Sequence, residues 1–150
     1  MKKNDTHPFI FDTGVWLGEG DIAFNMMPGE SVKCYMRWSF TEDGDKVTSM
    51  QEVEVAGGGD AVKNVMVFSR KGDRFAVVLK NDDLGELEGT GIVDEKTVAW
   101  EFRKKTSKVE GYEAYKLQDD GSYIMKAEYR SPDDVTTTIT GKIWKKSNEE

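Results

Sequence analysis

Between Ser31 and Thr41 apolar and polar side chains alternate without a break. Val32, Cys34, Met36, Trp38 and Phe40 fall on one parity, and Lys33, Tyr35, Arg37 and Ser39 on the other. Side chains of an extended chain point to opposite faces at a period of two, so this run can bury one face and wet the other only as a β-strand. The same period returns along most of the chain. Val47, Val53 and Val55 share a register over Lys46 to Ala56, and Ser49 and Gln51 share it too, which marks either a solvated cavity wall or a shifted register. Val62 to Phe68 is extended, and Phe75, Val77 and Leu79 alternate with Ala76 and Val78. Gly85 to Val93 follows, then Val98, Trp100 and Phe102, then Gly111 to Gln118 with Tyr112, Tyr115 and Leu117. Tyr123, Met125, Ala127 and Tyr129 share a face, and a Thr-rich segment from Val135 to Lys146 ends the series. Helical periodicity persists nowhere over ten positions.

Turn signals separate these runs: Pro28-Gly29, Gly44-Asp45, the Gly57-Gly58-Gly59-Asp60 cluster, Gly72-Asp73, Asp119-Asp120-Gly121 and Pro132-Asp133. The glycine cluster is followed by a strand and not by a helix opening on Lys-Ser/Thr, so it reads as a turn and not a phosphate cradle. Short loops make sequence neighbours into sheet neighbours, giving an antiparallel meander. About ten strands exceed what an open twisted sheet holds comfortably, and closure removes both edges. The expected fold is all-β, an antiparallel up-and-down β-barrel of about ten strands, with a two-sheet sandwich as the alternative. The expected organisation is an N-terminal arm over 1–13, one barrel domain over 14–146 and a polar tail over 147–150. In the first strand Trp16 shares a face with Gly18, Gly20, Ile22 and Phe24, so a large ring is followed by two gaps. That spacing predicts a tightly curved strand whose indole plugs one end of the barrel.

Composition sets the limits on partners. A net charge of -7 repels phosphate backbones, which argues against nucleic acid. No apolar run approaches the roughly 20 residues of a membrane-spanning helix, and Phe9-Ile10-Phe11 is too short for a signal-peptide core. Cys34 has no cysteine to pair with inside the chain, so the expected setting is a reducing cytoplasm and the expected role of the thiol is a small core hydrophobe. Zinc lacks ligands, with one Cys and one distant His. Glu52/Glu54 and Glu86/Glu88 each put two acids on one strand face, and the valines and leucine between them assign those acids to solvent. His7 lies in a mobile arm ahead of the barrel, and nothing else supplies an imidazole base.

Gly14-x-Trp16 at the start of the first strand resembles the Gly-x-Trp of the calycin superfamily, which includes lipocalins and fatty-acid-binding proteins. The longer Gly14-x-Trp16-x-Gly18-x-Gly20, with ten meandering strands and no lid helices, is most similar to the nitrobindin-like branch. The resemblance implies a barrel with an interior ligand and a structural role for these four residues. Proteins of the nitrobindin-like branch hold haem through a His on a late strand, and Val135 to Trp144 contains none, so haem ligated by His is not expected and no cofactor is assigned. The Arg-x-Tyr pair of fatty-acid-binding proteins is absent from the last strand, and Lys142 matches the basic residue of lipocalins only loosely.

What remains is an inward set rich in thioethers and rings, an adaptable apolar wall. The expected ligand-binding residues are Met36, Trp38, Asn64, Met66, Phe68, Trp100, Phe102, Tyr123 and Met125, with Gln51 as a further polar member. Trp38 and Trp100 are the expected walls, and Asn64 or Tyr123 the polar anchor. The leading reading is a non-enzymatic binding protein, monomer or homodimer, for a small, mostly apolar molecule. The alternatives are a calycin-type enzyme acting on a small aromatic or carbonyl compound through tyrosine, arginine and a carboxylate, with Tyr123 or Tyr129 and a Glu as a conceivable pair, and an interaction module with a solid core.

Overall fold

A computed structural model describes residues 7, 9–11, 13–58, 61–81, 85–103, 110–131 and 134–146. The 147–150 tail, Gly59-Asp60 and most of the 1–13 arm lie outside the described residues. Ten strands follow one another: β1 (Gly14–Phe24), β2 (Ser31–Asp43), β3 (Lys46–Val55), β4 (Val62–Lys71), β5 (Arg74–Asn81), β6 (Gly85–Val93), β7 (Thr97–Phe102), β8 (Glu110–Leu117), β9 (Tyr123–Arg130) and β10 (Thr136–Lys145). Each pairs antiparallel with the next, and β1 pairs with β10, so the sheet closes into the expected up-and-down barrel. None of the described residues forms a helix, and no helix is long and apolar enough to cross a membrane.

The register follows the parity read from sequence. Cys34, Met36, Trp38 and Phe40 are buried, while Tyr35 is about half exposed on the outside. Ser49 and Gln51 point inward and Met50 outward, so no register shift is needed in β3. Glu54, Glu86 and Glu88 face solvent, and Glu52 reaches Lys63 at 3.9 Å on the outer surface. Burial pushes the Cys34 thiol above its ordinary pKa, as for a core hydrophobe. The two gaps in β1 are a fitting requirement. A Cβ on Gly18 would stand 2.6 Å from Ile143, and one on Gly20 would stand 2.3 Å from the Thr140 carbonyl oxygen, so β10 crosses where β1 has no side chains.

One half of the barrel is filled. Phe9 from the N-terminal segment is fully buried among Trp16, Trp38, Phe40, Tyr115 and Tyr123, with ring centroids 4.7–5.5 Å away. Edge-to-face and tilted pairs at such distances add about 0.5–1.5 kcal/mol each beyond area burial. Trp16 is buried here with its ring 5.2 Å from that of Phe9, a residue that precedes the barrel. Ile10 is fully buried with φ 66°, a conformation β-branched residues rarely adopt, held where the turn carries Phe9 inward and Phe11 toward Phe75. Arg70 covers the outside of this filled half, its guanidinium 4.3 Å from the Phe11 ring centroid.

The reading of His7 requires correction. Expected outside the barrel, it is 1% exposed, with Nδ1 2.7 Å from the Tyr123 hydroxyl and Nε2 2.6 Å from the Asp94 carbonyl oxygen. The carbonyl can only accept, so Nε2 carries a hydrogen, and in the neutral ring Nδ1 accepts the Tyr123 hydroxyl hydrogen. A histidine buried with both nitrogens satisfied ties the arm to β9 and to the β6–β7 loop. Sequence periodicity has no means of registering such a tie, because it spans 116 residues.

Candidate functional site

Toward the opposite end, where β1 finishes and β2 begins, the barrel is hollow. A cavity of about 220 Å³ lies among Met36, Met66, Leu79, Met125, Ala127 and Ile139, and reaches the rim at Val62, which is 43% exposed. A larger depression of about 870 Å³ lies along the outer faces of β5–β8, but its outward-facing lining, including Ala76, Thr90 and Ile92, is solvent-exposed. We take the interior cavity as the site because it combines an apolar enclosure with two converging polar groups, the usual form of a small-molecule pocket.

The first polar group is a ladder across three neighbouring strands. Asn81 Nδ2 donates to Asn64 Oδ1 at 2.6 Å, and Asn64 Nδ2 donates to Gln51 Oε1 at 2.7 Å. Gln51 and Asn64 are register partners on β3 and β4, and Asn81 ends β5 on the inward parity set by Phe75, Val77 and Leu79. Neutral amides are tolerable inside a barrel when bonded to one another in this way.

The second is a carboxyl held by two phenols. Glu113 on β8 is 6% exposed, and its two oxygens accept hydrogen bonds from Tyr115 on its own strand and Tyr129 on β9. Burial pushes the Glu113 carboxyl above its ordinary range, against the two phenolic hydrogen bonds, which favour the anion. Burial, followed by the neighbouring carboxylate charge, pushes both tyrosines well above theirs. Gly111 makes the arrangement possible: a Cβ there would stand 2.3 Å from the Tyr129 ring, which instead lies across the strand, stacked near Phe102 at 6.4 Å.

Of the residues chosen from sequence, Met36, Asn64, Met66 and Met125 line the cavity. Phe102 faces inward beside Tyr129. Trp38, Phe68, Trp100 and Tyr123 belong to the packed half: Trp38 stacks on Phe40 at 5.5 Å, Trp100 on Tyr115 at 5.2 Å, and Tyr123 is engaged by His7. Among the described residues the indole nitrogens of Trp38 and Trp100 have no hydrogen-bond partner. Sequence reasoning missed Glu113, Tyr129 as its partner, and Asn81. A signal was present in Gly111-x-Glu113-x-Tyr115, where parity puts the carboxyl inside, but an acid among inward positions carries no mark of what will receive it. Among the described residues no group of His, Cys, Asp and Glu is placed to hold a metal ion.

No family model and no curated protein matches the chain. Among solved structures, the S-type phycobiliprotein lyase CPES from Guillardia theta superposes with a TM-score of 0.67 at 8% identity, over 91% of this chain and 89% of that one. A dehydratase from the difficidin assembly line covers 94% of this chain and 81% of its own at 8% identity, but its TM-score of 0.27 bears no argument. The likeness to the first of these is one of fold, a closed antiparallel meander.

Proposed function

We propose that this protein binds a small, mostly apolar molecule in the hollow half of its barrel, with Met36, Met66 and Met125 against the apolar body and the Asn64 ladder or Glu113 at a polar substituent. The observation that carries the reading is the cavity of about 220 Å³ with polar groups on both sides. An apolar cavity of about 150 Å³ admits benzene, so this one suits a single substituted ring or a compact bicycle. The shared shape with a phycobiliprotein lyase supports a ligand-holding barrel, and at 8% identity it lends no activity. Binding without chemistry is favoured because, among the described residues, the cavity lining offers no Ser, Thr or Cys nucleophile and no imidazole base. A net charge of -7 disfavours nucleic acid as a partner.

Native mass spectrometry and calorimetry against neutral one- and two-ring compounds test the proposal. Micromolar affinity, about 8 kcal/mol, is within reach of such contacts. Val53→Trp, which places an indole in the cavity from its half-buried rim, should abolish binding while the melting temperature stays near that of the parent. Binding that survives this substitution would put the ligand elsewhere.

A further inference from the structure

Among the described residues Glu113 is the only carboxyl lining the interior cavity, and no Lys, Arg or His lines it. Among the described residues the neighbours across the sheet are equally without positive charge. Trp100 and Phe102 face the carboxyl's strand from β7, Ala127 and Tyr129 from β9, and Gly111 and Tyr115 flank it on β8. A carboxylate offers about four acceptor positions, and the two phenols occupy one on each oxygen. Two therefore remain. A buried carboxylate is costly unless paired, and here the phenols supply hydrogen bonds but no countercharge.

Resting on the reading that the cavity is a binding site, we infer that its ligand is a small arylalkyl or alkyl amine, whose protonated nitrogen pairs with Glu113 while its apolar body lies against the methionines. Charge and shape agree on this class. An ammonium beside Glu113 lies near the Tyr129 ring, which also lines the cavity and adds cation–π attraction. The opposite wall, from Met36 to the amide ladder, offers apolar surface and neutral hydrogen bonds only. An anionic ligand meets a like charge in a desolvated site, and the net charge of -7 repels it on approach while drawing a cation in. Burial that holds the carboxyl above its ordinary range also links the event to protons: pairing favours the anion, so amine binding releases protons when pH lies near the carboxyl's own pKa.

The experiment compares phenethylamine, 2-phenylethanol and phenylacetate by calorimetry on the parent and on Glu113→Gln. In the parent the amine should bind about tenfold or more tighter than the alcohol, the margin of a charge-assisted contact, and phenylacetate weakest of the three. Glu113→Gln should bring the amine-to-alcohol ratio to about one. The amine's affinity for the parent should fall as pH is lowered, with protons released on binding, while the alcohol's affinity stays level; this arm needs no variant and stands even where Glu113→Gln folds poorly. Equal binding of amine and alcohol by the parent overturns the amine assignment and leaves the cavity reading standing. Tighter binding of the alcohol means that Glu113 is protonated and serves as a donor, which also overturns it. Failure of all three ligands together with the neutral ring compounds removes both readings.

Discussion

The same ten strands enclose two different interiors, and the contrast shows what each is for. Around Phe9 the barrel is crowded with rings, and its main polar contact is the His7–Tyr123–Asp94 tie. Around Met66 it is hollow, and inward positions carry amides, a carboxyl and phenols. A barrel this wide is not filled by its own wall residues. The closed half is completed by a segment from outside the sheet, whereas the open half receives no such plug from the described residues. Stability is therefore concentrated at one end, and room for a ligand at the other.

The largest test of this contrast is a pair of truncations. Trp38→Ala in the packed half should cost about 3–5 kcal/mol, while Met66→Ala on the cavity wall should cost about 2 kcal/mol, the low end for such a deletion, because part of its surroundings is already empty. Denaturant unfolding measures both, and equal losses would dissolve the distinction between the halves.

Phe9→Ala sharpens the comparison by asking whether the arm belongs to the core. With Phe9 fully buried among five rings, a loss of about 3 kcal/mol is expected. A change within about half a kcal/mol, typical of surface sites, would return the arm to the outside.

The smallest effect is electrostatic and confined to the hollow half. The Glu113 carboxyl has a folded-state pKa above its ordinary value of 4.5, so the folded chain holds its proton more tightly than the unfolded chain does. Its contribution is fully present below that ordinary value and is lost as pH rises through the folded-state pKa. Glu113→Gln keeps a partner for both tyrosines and does not titrate. The parent should therefore lose stability relative to Glu113→Gln as pH rises from about 4 toward neutrality. Unfolding curves at several pH values check the sign; a parent that gains on the variant over that range would mean that the phenols outweigh burial.

Much of the fold was legible because a barrel strand writes its environment in alternation. Met36 and Trp38 declare their face, and Ser49 and Gln51 hold theirs despite their polarity. Among the candidate site residues, Asn64 was legible for a different reason: an amide on an inward parity is unusual enough to stand out. Glu113 was not, because the adjacent Glu110 and the many surface acids make one more carboxylate unremarkable until Tyr129 is seen to reach it from another strand.

By itself the sequence determined that the chain is a meander of about ten strands, which face most of their apolar side chains take, and that β1 carries gaps at Gly18 and Gly20. These are local properties, since parity, turn residues and missing side chains act within a few positions of where they are written. Only the tertiary structure decided how the interior is divided. Whether an inward ring packs solidly or borders a cavity depends on strands from the far side of the barrel and on Phe9 and His7, which enter from outside the sheet. Volume left over after closure is a property of all ten strands at once, so no single stretch of sequence could carry it.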